Sequence, residues 1–140
     1  MESQLKHNAN HTKKSLKELL HNCNLWTADL EFIKIEIAFL KTLLATYPFK
    51  ASIPNLFEKL QLFSKDLENL ETLRTIIHKT IHSHIQALNK NITISELDYS
   101  STYQTSYNAL TEDVFAYFET YKNLKIKIYE FITGLINNKS

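Results

Sequence analysis

The sequence predicts an all-α fold, an antiparallel up-down-up bundle of three long helices, and three observations lead there. Tyr103, Tyr107, Leu110, Val114, Tyr117, Tyr121, Leu124, Ile128, Phe131 and Leu135 recur in steps of four and three without a miss. That spacing places them all on one stripe of one long helix. The 140 residues include a single glycine, Gly134, and two prolines, Pro48 and Pro54, where average usage would supply about ten glycines. Hairpins need both residues at their turns, so this chain has few turns to make. Apolar residues make up 44% of the sequence, too many for a disordered polymer and enough to bury one domain core.

Residues 1–14 are polar and rich in asparagine and histidine, and read as a flexible tail ahead of a single domain spanning 15–137. Ser15-Leu16-Lys17-Glu18 has the form of a capping box, in which serine and glutamate satisfy the first free backbone amides. From there Leu16, Leu19, Cys23, Trp26, Leu30, Ile33, Ile37, Leu40, Leu44 and Tyr47 keep the three-four rhythm. Asp29 and Glu36 flank one side of this seam, Lys34 and Lys41 the other. The helix should stop before Pro48, because the residue preceding a proline resists the α conformation.

Two segments, Ile33 to Phe39 and Leu124 to Ile128, alternate apolar and other residues at period two and would pass locally as strands. Each lies inside a helical seam several heptads long, with no turn residues around it, so helix is the better reading. Phe32, Ile35 and Phe39 then form a second apolar face on the first helix.

Pro54 suits the approach to the second helix, and Asn55-Leu56-Phe57-Glu58 offers a second box-like start. Leu56, Leu60, Phe63, Leu67, Leu70, Leu73, Ile77, Ile81, Ile85 and Leu88 make its seam, whose later steps lengthen to fours. Asn89 to Asn91 should end it. Thr93 or Ser95, with Glu96 or Asp98, would cap the third helix, whose opening is rich in Ser, Thr and Tyr and should be weak. Near-equal helices of roughly 32 to 42 residues with short connections imply antiparallel neighbours.

Sixteen basic residues against fifteen acidic ones leave a net charge of +1. No excess is available to neutralise phosphates, so nucleic acid is not an expected partner. No basic run suggests a membrane surface, and no apolar stretch nears the ~20 residues that span a bilayer. The N-terminus lacks the apolar core of a signal peptide. Cys23, the lone cysteine, suits a reducing compartment. The expectation is a cytoplasmic protein that uses no cofactor.

Few residues invite a chemical reading. His78 and His82 lie four apart on one helix face, with Glu71 two turns earlier on nearly the same stripe. Neutral imidazoles at that spacing, with a carboxylate, could hold zinc or iron. The competing reading is a solvated stripe shared with Arg74. Glu18-Leu19-Leu20-His21 matches the Glu-x-x-His element of di-iron bundles, which use two such elements plus two more inward glutamates. The His78, His82 pair is similar to one element of hemerythrin-like carriers, but the third helix has no histidine. Arg74 to His78 comes near the motif of HEPN-type helical ribonucleases with a shorter gap, and both residues otherwise read as polar edge positions. Cys23 sits on the seam beside Trp26, where burial makes a thiol inert. The tyrosines of the third seam could line a groove, or belong to the core with hydroxyls reaching the rim.

The stretch Trp26, Asp29-Leu30-Glu31-Phe32, Lys34, Glu36, followed by a Glu/Leu-rich helix ending in histidines at His78 to His84, resembles a group of short bacterial helical-bundle proteins without an assigned activity. The resemblance covers the first two helices, implies the same architecture and brings no function with it.

Taken together, the residues point to a non-enzymatic bundle that acts through protein–protein contact, with a protein partner or with a second copy as a homodimer. Trp26, Phe32, Phe39, Phe115 and Phe118 are the core or interface residues expected to carry it, since surplus apolar surface marks an interface. The alternative is a metal- or small-ligand-binding bundle built on His78, His82 and Glu71.

Overall fold

A computed structural model describes residues 15–47, 53–91 and 96–137, with the side chains of 91 and 96–102 left aside. It is all-α. Helix α1 runs Leu16–Thr46, α2 runs Leu56–Asn91 and α3 runs Glu96–Asn137. Their 31, 36 and 42 residues correspond to about 46 to 63 Å at 1.5 Å per residue. Both segments with strand-like alternation are helical. The proposed tail at 1–14 and the Thr93/Ser95 cap lie outside the described residues.

The start of α1 forms as its residues dictate. Glu18 N donates to Ser15 Oγ at 3.2 Å while Ser15 N donates to Glu18 Oε1 at 3.2 Å, so two orphan amides are satisfied reciprocally. The helix ends at Thr46, ahead of Pro48. At the entry to α2, Asn55 adopts φ 57°, a left-handed conformation that asparagine tolerates better than most residues. Its carbonyl accepts the amide of Lys59 at 3.1 Å. Helix α2 starts at Leu56, so Pro54 stands just before the helix and not within it.

The chain divides into two compact units, each with helical segments from α1, α2 and α3. The first comprises the described residues within Met1–Asp29 and Ile77–Phe115, the second Leu30–Ile76 with the described residues within Ala116–Ser140. In the first, Trp26 is 1% exposed, stacks on Tyr107 with ring centroids 5.7 Å apart, and meets the edge of Phe115 at 6.2 Å. Leu16, Leu19, Cys23, Ile81, Leu88 and Leu110 complete that core. In the second, Leu30, Ile33, Ile37, Leu40, Leu67, Leu70 and Ile128 are buried together with Tyr117. Tyr117 reaches Leu70, and Phe63 packs on Phe131 at 5.3 Å. Numbers fall along α2 as they rise along α3, the mark of an antiparallel pair. Glu36 of α1 pairs with Lys125 of α3 at 2.9 Å.

Every expected seam position of α1 from Leu16 to Leu44 is buried. The α2 seam needs correction. Leu73 is exposed, and Arg74 takes the buried place beside Leu70 and Ile77. Burial on α2 therefore runs Leu67, Leu70, Arg74, Ile77, Ile81 and Leu88, with His84 and the expected Ile85 both half-buried between the last two, so a three-four repeat passes through Arg74 and His84. Two polar residues hold heptad positions, and a pattern sought among apolar letters steps around them.

Candidate functional site

Arg74 is the most unusual side chain of the second unit, a guanidinium only 6% exposed on a core seam. It is not the polar edge residue that its letter suggested. Its Nε donates to Glu71 Oε1 at 2.7 Å and its Nη2 to Glu71 Oε2 at 2.8 Å, while Nη1 stands 4.0 Å from Glu31. This bidentate fork is the strongest geometry such a pair can adopt. It holds the Glu71 carboxyl below the usual glutamate value, helped by the charges of Lys34 and Lys41. Glu71 in turn raises the pKa of Arg74. Next to it, Tyr117 donates its hydroxyl to the Leu70 carbonyl at 3.1 Å. Burial raises that phenol's pKa, against the nearby charge of Arg74.

The fork engages residues of two readings made from the sequence. Both carboxylate oxygens of Glu71 accept from Arg74, so the carboxylate put forward as a metal ligand is already engaged. His78 is half-buried and His82 exposed. Among the described residues, no three His, Cys, Asp or Glu side chains come close enough together to hold a metal ion. The Arg74 proposed for ribonuclease chemistry is likewise occupied by a carboxylate partner.

Polar groups of the first unit are also turned inward. Asn22 Nδ2 donates to Tyr107 Oη at 2.8 Å, both residues being buried. The Tyr107 hydroxyl thus ends inside the core, as does that of Tyr117, and neither reaches the rim as expected. Burial raises the Tyr107 pKa against the pull of Asn22 and Thr111. His84 meets the hydroxyl of Tyr103, and burial lowers its pKa. Cys23 is fully buried and its thiol is pushed up to about 12 by desolvation, which removes it as a nucleophile near neutral pH. Glu18 of the Glu-x-x-His element is the capping glutamate already described, and His21 is exposed.

The structure also leaves large apolar side chains outward. Among the described residues, eleven large apolar side chains are exposed; Leu25 belongs to the first unit and the other ten to the second. Phe32 and Phe39 are each 57% exposed and Ile35 is 67% exposed. Of the residues expected at a core or interface, Trp26 is in the core and Phe115 and Phe118 are half-buried. Phe118 lies against Tyr117 at 6.4 Å. Phe32 and Phe39 stand in solvent. A groove of about 430 Å³ also opens in this unit, where Asp66, Asn69 and Leu73 of α2 face Thr120, Asn123 and Lys127 of α3. Arg74 and His84 could have been found in the sequence by extending the three-four count strictly from Leu67 and Leu70, whatever residue it reached.

Among the described residues, no helix is long and apolar enough to cross a membrane. No family model, curated protein or solved structure matches the chain.

Proposed function

We propose that this chain is a non-enzymatic helical bundle that acts through protein–protein contact and associates with itself. The observation that carries the reading is the gathering of exposed apolar side chains in one unit, led by Phe32, Ile35 and Phe39. Scattered surface apolars are ordinary, whereas a concentration of large ones marks an interaction site. Burying such a face against another protein removes it from water at about 25 cal/mol per Å² before the costs of association.

The arrangement of polar groups supports the non-catalytic part. Arg74 and Glu71 are joined to each other, Asn22 to Tyr107, and Cys23 is buried. Each is accounted for by the packing of its own unit. A cytoplasmic location and a lack of nucleic-acid or membrane partners belong to the same reading, on the balanced charge of +1.

Light scattering and sedimentation of the purified protein across a concentration range test the reading. A species of defined stoichiometry, larger than one chain, is expected. A strict monomer at the highest attainable concentration would remove self-association from it.

A further inference from the structure

We propose that Phe32, Ile35 and Phe39 of α1, with Ile126 and Tyr129 of α3, form a two-fold interface in the second unit that receives a second copy of this chain. The inference rests on the self-association reading and names the surface that performs it.

The face has the register of a packed seam. Phe32, Ile35, Phe39, Thr42 and Thr46 follow one another in steps of three and four, all are exposed, and none is charged. This is the spacing that buries the other side of α1, repeated toward solvent. Thr46 donates its hydroxyl to the Thr42 carbonyl at 2.7 Å, so that polar group is bonded within the helix.

The flanking charge suits a copy of the same surface. Phe32 and Phe39 lie four residues before and three after Glu36, and so share its side of α1. Ile126 and Tyr129 lie one and four residues after Lys125. Glu36 and Lys125 are joined to each other at 2.9 Å. An isologous contact brings only the groups at its axis near their own copies and pairs the rest with other groups of the same face, so a free carboxylate there would need a cation from the partner. Here the carboxylate is already neutralised within the chain.

The area also fits. With Phe32 and Phe39 57%, Ile35 67%, Ile126 44% and Tyr129 39% exposed, these side chains leave about 500 Å² of largely apolar surface in water, taking about 200 Å² for each whole side chain. A standard interface buries about 800 Å² per partner, and homodimer interfaces are about 65% apolar. The apolar requirement is therefore about 520 Å² per copy, close to what this face offers.

The test compares wild-type protein, Phe32→Asp/Phe39→Asp and Leu62→Asp by sedimentation equilibrium, with circular dichroism for helix content. Leu62, 64% exposed on α2, is the control for any loss of exposed apolar surface. The expected result is a wild-type dimer, an unchanged Leu62→Asp dimer, and a double variant of full helicity whose dissociation constant rises at least 100-fold. An Ile35→Ser variant checks the same face without adding charge, and its dissociation constant should rise as well, by less than that of the double variant. A double variant that dimerises like wild type overturns the assignment of the face and leaves self-association standing. A monomeric wild-type protein overturns both.

Discussion

Arg74 shows how one residue can obey a seam's spacing while breaking its chemistry. Carrying a charge out of water costs several kcal/mol, and only a good partner recovers it. The fork with Glu71 supplies that partner, and Glu31 adds a weaker attraction. Because the Glu71 side chain is 36% exposed, the pair is softened by solvent, and its net worth lies below that of a fully buried bridge. Removing one member still leaves a hole and a stranded carboxylate. We expect Arg74→Ala to cost roughly 1–3 kcal/mol in urea unfolding. Arg74→Leu completes an apolar heptad and should be clearly more stable than Arg74→Ala, at or above wild type. Equal destabilisation by both variants would show that the guanidinium's hydrogen bonds, and not the filled seam position, matter most.

At the scale of the element, α1 explains why its middle imitates a strand. Ile33 and Ile37 belong to the core stripe, while Ile35 and Phe39 belong to the outward one. Two three-four stripes on opposite sides of a helix interleave in sequence, and interleaved they alternate at period two. Leu124, Ile126 and Ile128 do the same on α3, where Ile128 is buried and Ile126 exposed. A window of five residues cannot separate the two patterns; one of several heptads can. Gly134 offers a separate test of helical propensity. It lies exposed within α3, and a Cβ built there would meet nothing within 4 Å. With no clash to oppose it, Gly134→Ala should stabilise the protein by about 0.5–1 kcal/mol, because glycine loses more backbone freedom on folding. The thermal midpoint would report it. A destabilised variant would mean that the glycine serves a contact outside the folded chain.

For the whole molecule, two groups make stability depend on acidity in the same direction. His84 has its pKa lowered from 6.5 by burial, so the unfolded chain takes up its proton first as pH falls. Stability should decline from about 6.5 downward until the folded-state histidine also protonates. Glu71 has its pKa lowered from 4.5, chiefly by the Arg74 hydrogen bond. Its contribution is complete above 4.5 and is lost as pH falls through the depressed value. Denaturant unfolding from pH 8 to 3 should therefore show two successive losses, of which His84→Gln removes the first. A flat profile in that variant and wild type alike would mean that neither group is coupled to folding.

Helix count, helix type and nearly all of the buried stripe on α1 could be read from spacing, because a helix of 3.6 residues per turn turns apolar recurrence directly into a face. The capping of Ser15 by Glu18 was legible for the same reason, being local. Long-range choices were not. Whether Phe39 faces a neighbouring helix or water, whether Arg74 lies at an edge or within a seam, and where the Tyr107 and Tyr117 hydroxyls end all depend on which surfaces meet. Spacing along one chain specifies angles around one helix axis. Only the packing of three such axes decides which angles are inside, and so which side chains remain for a partner.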